Sequence, residues 1–106
     1  MTVSEKNRWE TWAVDLRQAM MRALEPRVTK SVSQILEETG TDKTDSVMRS
    51  KRFWTSCQAG KSPNGVIKSA GFEIDFDPNG DGEVDSVTLR LNDRWKGIMQ
   101  RVIDRQ

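Results

Sequence analysis

The 106-residue chain has no histidine and no tyrosine, a single cysteine and only three prolines. The missing histidine removes the commonest general base, the Ser-His triads and most zinc sites. One cysteine, Cys57, excludes an internal disulfide and fits a reducing compartment. With no basic-histidine neighbour, Cys57 has nothing to activate it as a nucleophile. No run approaches the 18 apolar residues that a membrane span needs. Met1 to Glu10 is polar and charged, unlike a signal peptide. These absences together point to a cytoplasmic protein. A net charge of +1 gives no global pull toward nucleic acid or membrane.

Charged residues make up 31% and apolar residues 35% of the chain, a polar balance for a single domain. The apolar residues are nevertheless strongly patterned. Ser4 can cap a first helix in which Trp9, Trp12, Ala13, Leu16, Met20, Ala23 and Leu24 form one stripe, with Asp15, Arg17, Gln18 and Arg22 outside it. Pro26 stops or bends that helix and suits the first position of a second one, with Val28, Val32, Ile35 and Leu36 inward and Gly40 at its end. Two helices joined this closely form a bend rather than a full reversal. Asp45 to Cys57 is expected as a third, weaker helix, with Val47, Met48, Trp54 and Cys57 inward. Gly60 to Gly65 is a loop, and Val66-Ile67 starts a short strand or anchors that loop.

Phe72, Ile74 and Phe76 alternate with Glu73, Asp75 and Asp77, and Val87, Leu89 and Leu91 alternate with Ser86, Thr88 and Arg90. Pairing Phe76 with Val87 places all six apolar residues on one face and sets Glu73 opposite Arg90 as a charge pair. Asn92 or Asp93 then caps a last helix with Trp95, Ile98, Met99, Val102 and Ile103 on one face. The expected fold is α+β: two to three N-terminal helices, one antiparallel β-hairpin, and a C-terminal helix packed on the hairpin, in one domain spanning residues 1–106. A bare hairpin leaves its edges open, so strand addition from a second copy or a partner is an expected route to association.

The hairpin loop carries the one spacing that suggests specific chemistry. Asp77, Asn79, Asp81 and Asp85 stand at positions 1, 3, 5 and 9 of a D-x-N-x-D-G-x-x-D run, with Gly82 at position 6 and Val84 at position 8. Closely spaced carboxylates on a tight loop supply the oxygen ligands that calcium needs. The nine residues resemble calcium loops of the dockerin, EF-hand and FG-GAP kinds, and the strand-loop-strand setting is closest to the last. The resemblance implies calcium as the one candidate cofactor. Position 12 is Thr88, where an EF-hand or dockerin has an acidic residue. The competing reading is a solvated acidic turn, since Asn79-Gly80 and Asp81-Gly82 are hairpin turn signals.

Charge is also laid out in blocks. Arg49, Lys51, Arg52, Lys61 and Lys68 are followed, with no acidic residue among them, by Glu73, Asp75, Asp77, Asp81, Glu83 and Asp85. The acidic block favours a non-enzymatic binding or regulatory module in which Glu73, Asp75 and Glu83 meet a basic surface on a partner protein, as small inhibitors do by electrostatic complementarity. The basic block, with Phe53 and Trp54, offers a second reading: phosphate contacts and base stacking on a single-stranded nucleic acid. Ala59-Gly60-Lys61-Ser62 has the end of a P-loop pattern without its first glycine, its strand or its helix. Carboxylates clustered on one turn, with no apolar pocket to separate their pKa values, do not make an acid–base pair.

Overall fold

The computed structural model describes residues 2–61, 65–78 and 82–106. Helix α1 is Val3–Ala23; Thr2, rather than Ser4, caps it by accepting from the Glu5 backbone N–H at 3.1 Å. It ends at Leu24, which is left-handed at φ 56°. There the Leu24 and Glu25 N–H groups donate to the Met21 and Met20 carbonyls, closing the helix before Pro26 is reached.

The segment after Pro26 corrects the expected second helix. Strand β1 is Arg27–Ser31, followed at once by helix α2, Val32–Glu38. Val28 is half-buried and Thr29 exposed, which is strand alternation rather than a helical stripe. The Pro26 carbonyl accepts from Leu91 N–H at 2.9 Å, so the chain leaves the proline already aligned with a strand. Ser31 then caps α2 by accepting from the Gln34 N–H, and Val32, Ile35 and Leu36 are buried as expected. Gly40, at φ 69°, closes α2: its N–H and that of Thr41 donate to the carbonyls of Glu37 and Leu36. The first two helices form neither a rod nor a hairpin, because a strand lies between them.

Helix α3 is Lys51–Ala59, six residues later than the expected start. Asp45 does not open a helix; its carboxylate accepts from the N–H groups of Val47 and Met48 in a turn, and Val47 is exposed. Ser50 is the cap, and the shifted start turns Phe53 inward beside Trp54 and Cys57. Val66–Ser69 is a single helical turn, α4, not a strand.

Strands β2, Phe72–Pro78, and β3, Val84–Leu91, pair antiparallel in the expected register: Phe72 with Leu91, Ile74 with Leu89, Phe76 with Val87. The hairpin is part of a three-stranded sheet ordered β1-β3-β2, because β1 pairs antiparallel with the other edge of β3, Val28 against Leu89. Of the two edges expected to be open, one is thus covered by β1, and Gln58 of α3 donates to the Ile74 carbonyl on β2.

One sheet face bears Phe72, Ile74, Val87, Leu89 and Leu91, all buried. Helices α2, α3 and α4 pack on it, and α1 closes the layer over α4. At the centre Trp9 lies 6.0 Å from Trp12, 5.7 Å from Phe53 and 6.2 Å from Trp54, ring centre to ring centre, mostly edge-on. The indole N–H groups of Trp9, Trp12 and Trp54 donate to Thr41 Oγ1, Glu38 Oε1 and the Met48 carbonyl. Helix α5, Asp93–Asp104, is capped by Asn92. Within α5 Met99 is buried, Trp95 and Ile98 are half-buried, and Val102 and Ile103 are exposed. The expected docking of this helix on the hairpin therefore holds for the end where Trp95 lies against Gly71. No helix among the described residues is long and apolar enough to cross a membrane.

Candidate functional site: the outward face of the sheet

Strand alternation that buries one face of the sheet turns the other outward. β2 sends Glu73, Asp75 and Asp77 to it, β3 sends Ser86, Thr88 and Arg90, and β1 sends Arg27, Thr29 and Ser31. Thr29 and Thr88 share a hydrogen bond of 2.8 Å across the β1–β3 pair. The charge pair expected between Glu73 and Arg90 is replaced by a diagonal one. Glu73 is opposite Arg90 in register, but the Arg90 guanidinium donates to both Asp75 carboxylate oxygens. The Asp75 hydrogen bond and charge raise the Arg90 pKa above its already high ordinary value, with smaller contributions from Glu73 and Asp93.

Toward the loop the register slips between Phe76 and Pro78, which pairs with Val84. Asp77 then faces two residues, Asp85 and Ser86, a bulge that lets Val84 and Val87 both point inward although three apart. Asp77 and Asp85 are exposed. A depression of about 320 Å³ at this edge is lined by Gln58, Asp75, Phe76, Asp77, Ser86 and Thr88.

Two of the four candidate calcium ligands, Asp77 and Asp85, flank this bulge; Asn79 and Asp81 lie outside the described residues. Among the described residues no three His, Cys, Asp or Glu side chains are grouped as metal ligands. The near end of the loop is tied to the start of α3: Lys51 N–H donates to the Gly82 carbonyl and Val84 N–H to the Arg49 carbonyl, both at 2.8 Å, and Ser50 bridges to Glu83. The positive end of α3, carrying Lys51 and Arg52 and no acidic residue in its first turn, therefore abuts the acidic loop.

The five basic candidates are not brought together. Arg49 is tied inward, donating to the Lys43 carbonyl at 2.9 Å and to Ser33 Oγ at 2.8 Å. Lys51 and Arg52 stand at one end of α3, and Lys61 and Lys68 at the other, about 14 Å away by helical rise. Lys68 donates to the Gln58 carbonyl. Phe53 and Trp54, offered above as stacking platforms, are 6% and 0% exposed and belong to the core. Gly60 is the left-handed cap that ends α3, so Gly60-Lys61 follows a helix, the reverse of a P-loop; Ser62 lies outside the described residues. Burial pushes the Cys57 thiol up to about 12, which makes it unreactive at neutral pH.

Two arrangements had no usable signal in the sequence. Arg17, outside the apolar stripe of α1, lays its guanidinium 4.0 Å from the Trp95 ring centre and donates to the Ala70 carbonyl at 2.7 Å. Its Nε is buried with no hydrogen-bond partner among the described residues. The second is a groove of about 810 Å³ between α1 and the end of α2, where Trp12, Asp15, Glu37 and Glu38 meet. Burial would raise the Glu38 pKa, but hydrogen bonds from Trp12 and Lys30 outweigh it and hold the carboxyl below its ordinary value. Only the pairing of two distant helices creates this groove, although Trp12 and Asp15 share one side of α1.

No protein-family model, curated protein or solved structure matches this chain.

Proposed function

We propose that the protein is a non-enzymatic binding or regulatory module whose outward sheet face receives a basic surface of a partner protein. The observation that carries this reading is the acidic edge of an otherwise uncovered face. Glu73, Asp75 and Asp77 stand on it together; Asp75 is engaged by Arg90, while Glu73 and Asp77 have no ion-pair partner among the described residues. Arg27 and Arg90 stand opposite each other on β1 and β3, and the rest of the face is built of short hydroxyl and carboxylate side chains, which suits contact with arginine and lysine along the β2 edge and offers no aromatic platform for a nucleic-acid base. The adjacent bulge and the depression beside Gln58 give the edge a shape as well as a charge.

The test is a residue-resolved NMR titration with an arginine-rich peptide at low and at moderate salt. The shifts should fall on Glu73, Asp75, Asp77, Ser86 and Thr88 and weaken with salt. Three carboxylates, Asp75 and Asp77 exposed and Glu73 half-buried, at roughly 0.5 kcal/mol each predict about a tenfold loss of affinity in the triple variant E73Q/D75N/D77N. No shift on these sheet-face residues, or an affinity unchanged in that variant, would remove the reading. The calcium reading of Asp77, Asn79, Asp81 and Asp85 is tested alongside by melting the protein with excess calcium and with chelator. Coincident curves count against it.

A further inference from the structure

The groove between α1 and the end of α2 is on the helical side of the sheet, away from the outward face, and its chemistry is independent of it. Its volume of about 810 Å³ is within the range of clefts that hold small ligands, enough for a side chain and its neighbouring backbone. Trp12 and Leu16 give it an apolar lining, and polar groups stand along both walls. Those groups are unequally committed. Arg8 Nε donates to the Thr39 carbonyl at 3.1 Å and so ties α1 to the end of α2. Glu38 accepts from Trp12 Nε1 at 2.9 Å and pairs with Lys30 at 3.0 Å. Among the described residues the Glu37 side chain makes only an exposed bridge to Lys43 at 3.3 Å. The Asp15 side chain has no hydrogen bond or ion pair among the described residues.

The groove is therefore polarised. Arg8 marks one end, and Asp15, seven residues along α1, stands about 10 Å away by helical rise. The free carboxylate and the apolar lining lie together: Asp15, Trp12 and Leu16 fall within four residues on one side of α1. A side chain that pairs with this combination has a cationic head and a methylene stem. A carboxylate at the Asp15 end would be repelled by Asp15, since Arg8, a cation of the lining, stands at the other end and is tied to the Thr39 carbonyl. A small inorganic cation would leave the apolar lining unused.

We propose that the α1–α2 groove docks a short peptide segment of a partner protein carrying an arginine or lysine, its cationic head on Asp15 and its stem along Trp12 and Leu16. The probe is the blocked tetrapeptide Ala-Ala-Arg-Ala, with its lysine and glutamate counterparts, titrated into the full chain and followed by residue-resolved NMR shifts. The arginine and lysine peptides should move the signals of Thr11, Trp12, Asp15 and Gly40, and the glutamate peptide should not. Asp15→Asn should weaken binding about threefold or more. It should melt as the parent does, since the Asp15 side chain makes no hydrogen bond or ion pair among the described residues. Asp77→Asn, on the other side of the sheet, should bind the tetrapeptide unchanged, which separates this groove from the sheet face. A groove unmoved by the arginine peptide, equal shifts with the glutamate peptide, or unaltered affinity in Asp15→Asn would each overturn the proposal.

Discussion

The two faces of the sheet are made by the same three strands and obey different constraints. On the inner face Val87, Leu89 and Leu91 are fully buried against helices, and each removes apolar surface worth about 1.5–3 kcal/mol from water. On the outer face their neighbours Ser86, Thr88 and Arg90 are exposed or half-exposed and make one hydroxyl pair and one surface ion pair. Exposed ion pairs contribute little to stability. One face therefore holds the fold, and the other is free to vary with whatever it meets.

The sharpest contrast between them is Leu89 against Thr88. Leu89→Ala should cost about 3 kcal/mol in urea unfolding, because the site is enclosed and cannot collapse around the cavity. Thr88→Ala, one residue along the same strand, should cost under about 1 kcal/mol. Equal costs would break the division of the sheet into two faces.

Gly71→Ala should follow, at on the order of 2 kcal/mol. Gly71 has φ 111°, and an added Cβ would come within 2.3 Å of Trp95 Cδ1. The substitution strains the backbone and pushes Trp95 from its seat, and with it the start of α5. A wild-type melting temperature would show that α5 is not held by this contact.

Acid should loosen the edge where β1 meets α2. The Glu38 carboxyl is held below its ordinary value of 4.5, so its stabilisation is present above that pH and is lost as pH falls through the lower folded-state value. Melting temperatures recorded below about pH 4.5 should drop more steeply for the parent than for Glu38→Gln. Parallel pH profiles would contradict a carboxylate held by the Trp12 hydrogen bond and the Lys30 ion pair. The smallest effect concerns Cys57, which in the folded protein should not react with a thiol reagent at pH 8; its modification should follow unfolding alone.

What was legible in the sequence depended on how local the cause was. The β2–β3 register was readable because period-2 alternation on both strands admits one alignment that buries every apolar residue. The Asn92 cap and the Gly40 terminus were readable because each is fixed within a few residues. β1 was not: Arg27–Ser31 is too short for its own alternation to outweigh the helical spacing around it, and its strand character comes from pairing with β3 about 60 positions on. Arg90 reaching Asp75 instead of Glu73 is a rotamer choice on an exposed face, which register alone does not fix. The outward face was foreshadowed by the acidic block, whereas the α1–α2 groove and the Arg17–Trp95 stack arise only when distant segments meet.

The claim that one face folds and the other binds is tested most directly by E73Q/D75N/D77N, measured in two ways on the same sample. The account predicts an unfolding free energy in urea within about 0.5 kcal/mol of the parent, together with about tenfold weaker binding to an arginine-rich peptide. A variant as destabilised as Leu89→Ala, or one that binds the peptide as tightly as the parent, would contradict it.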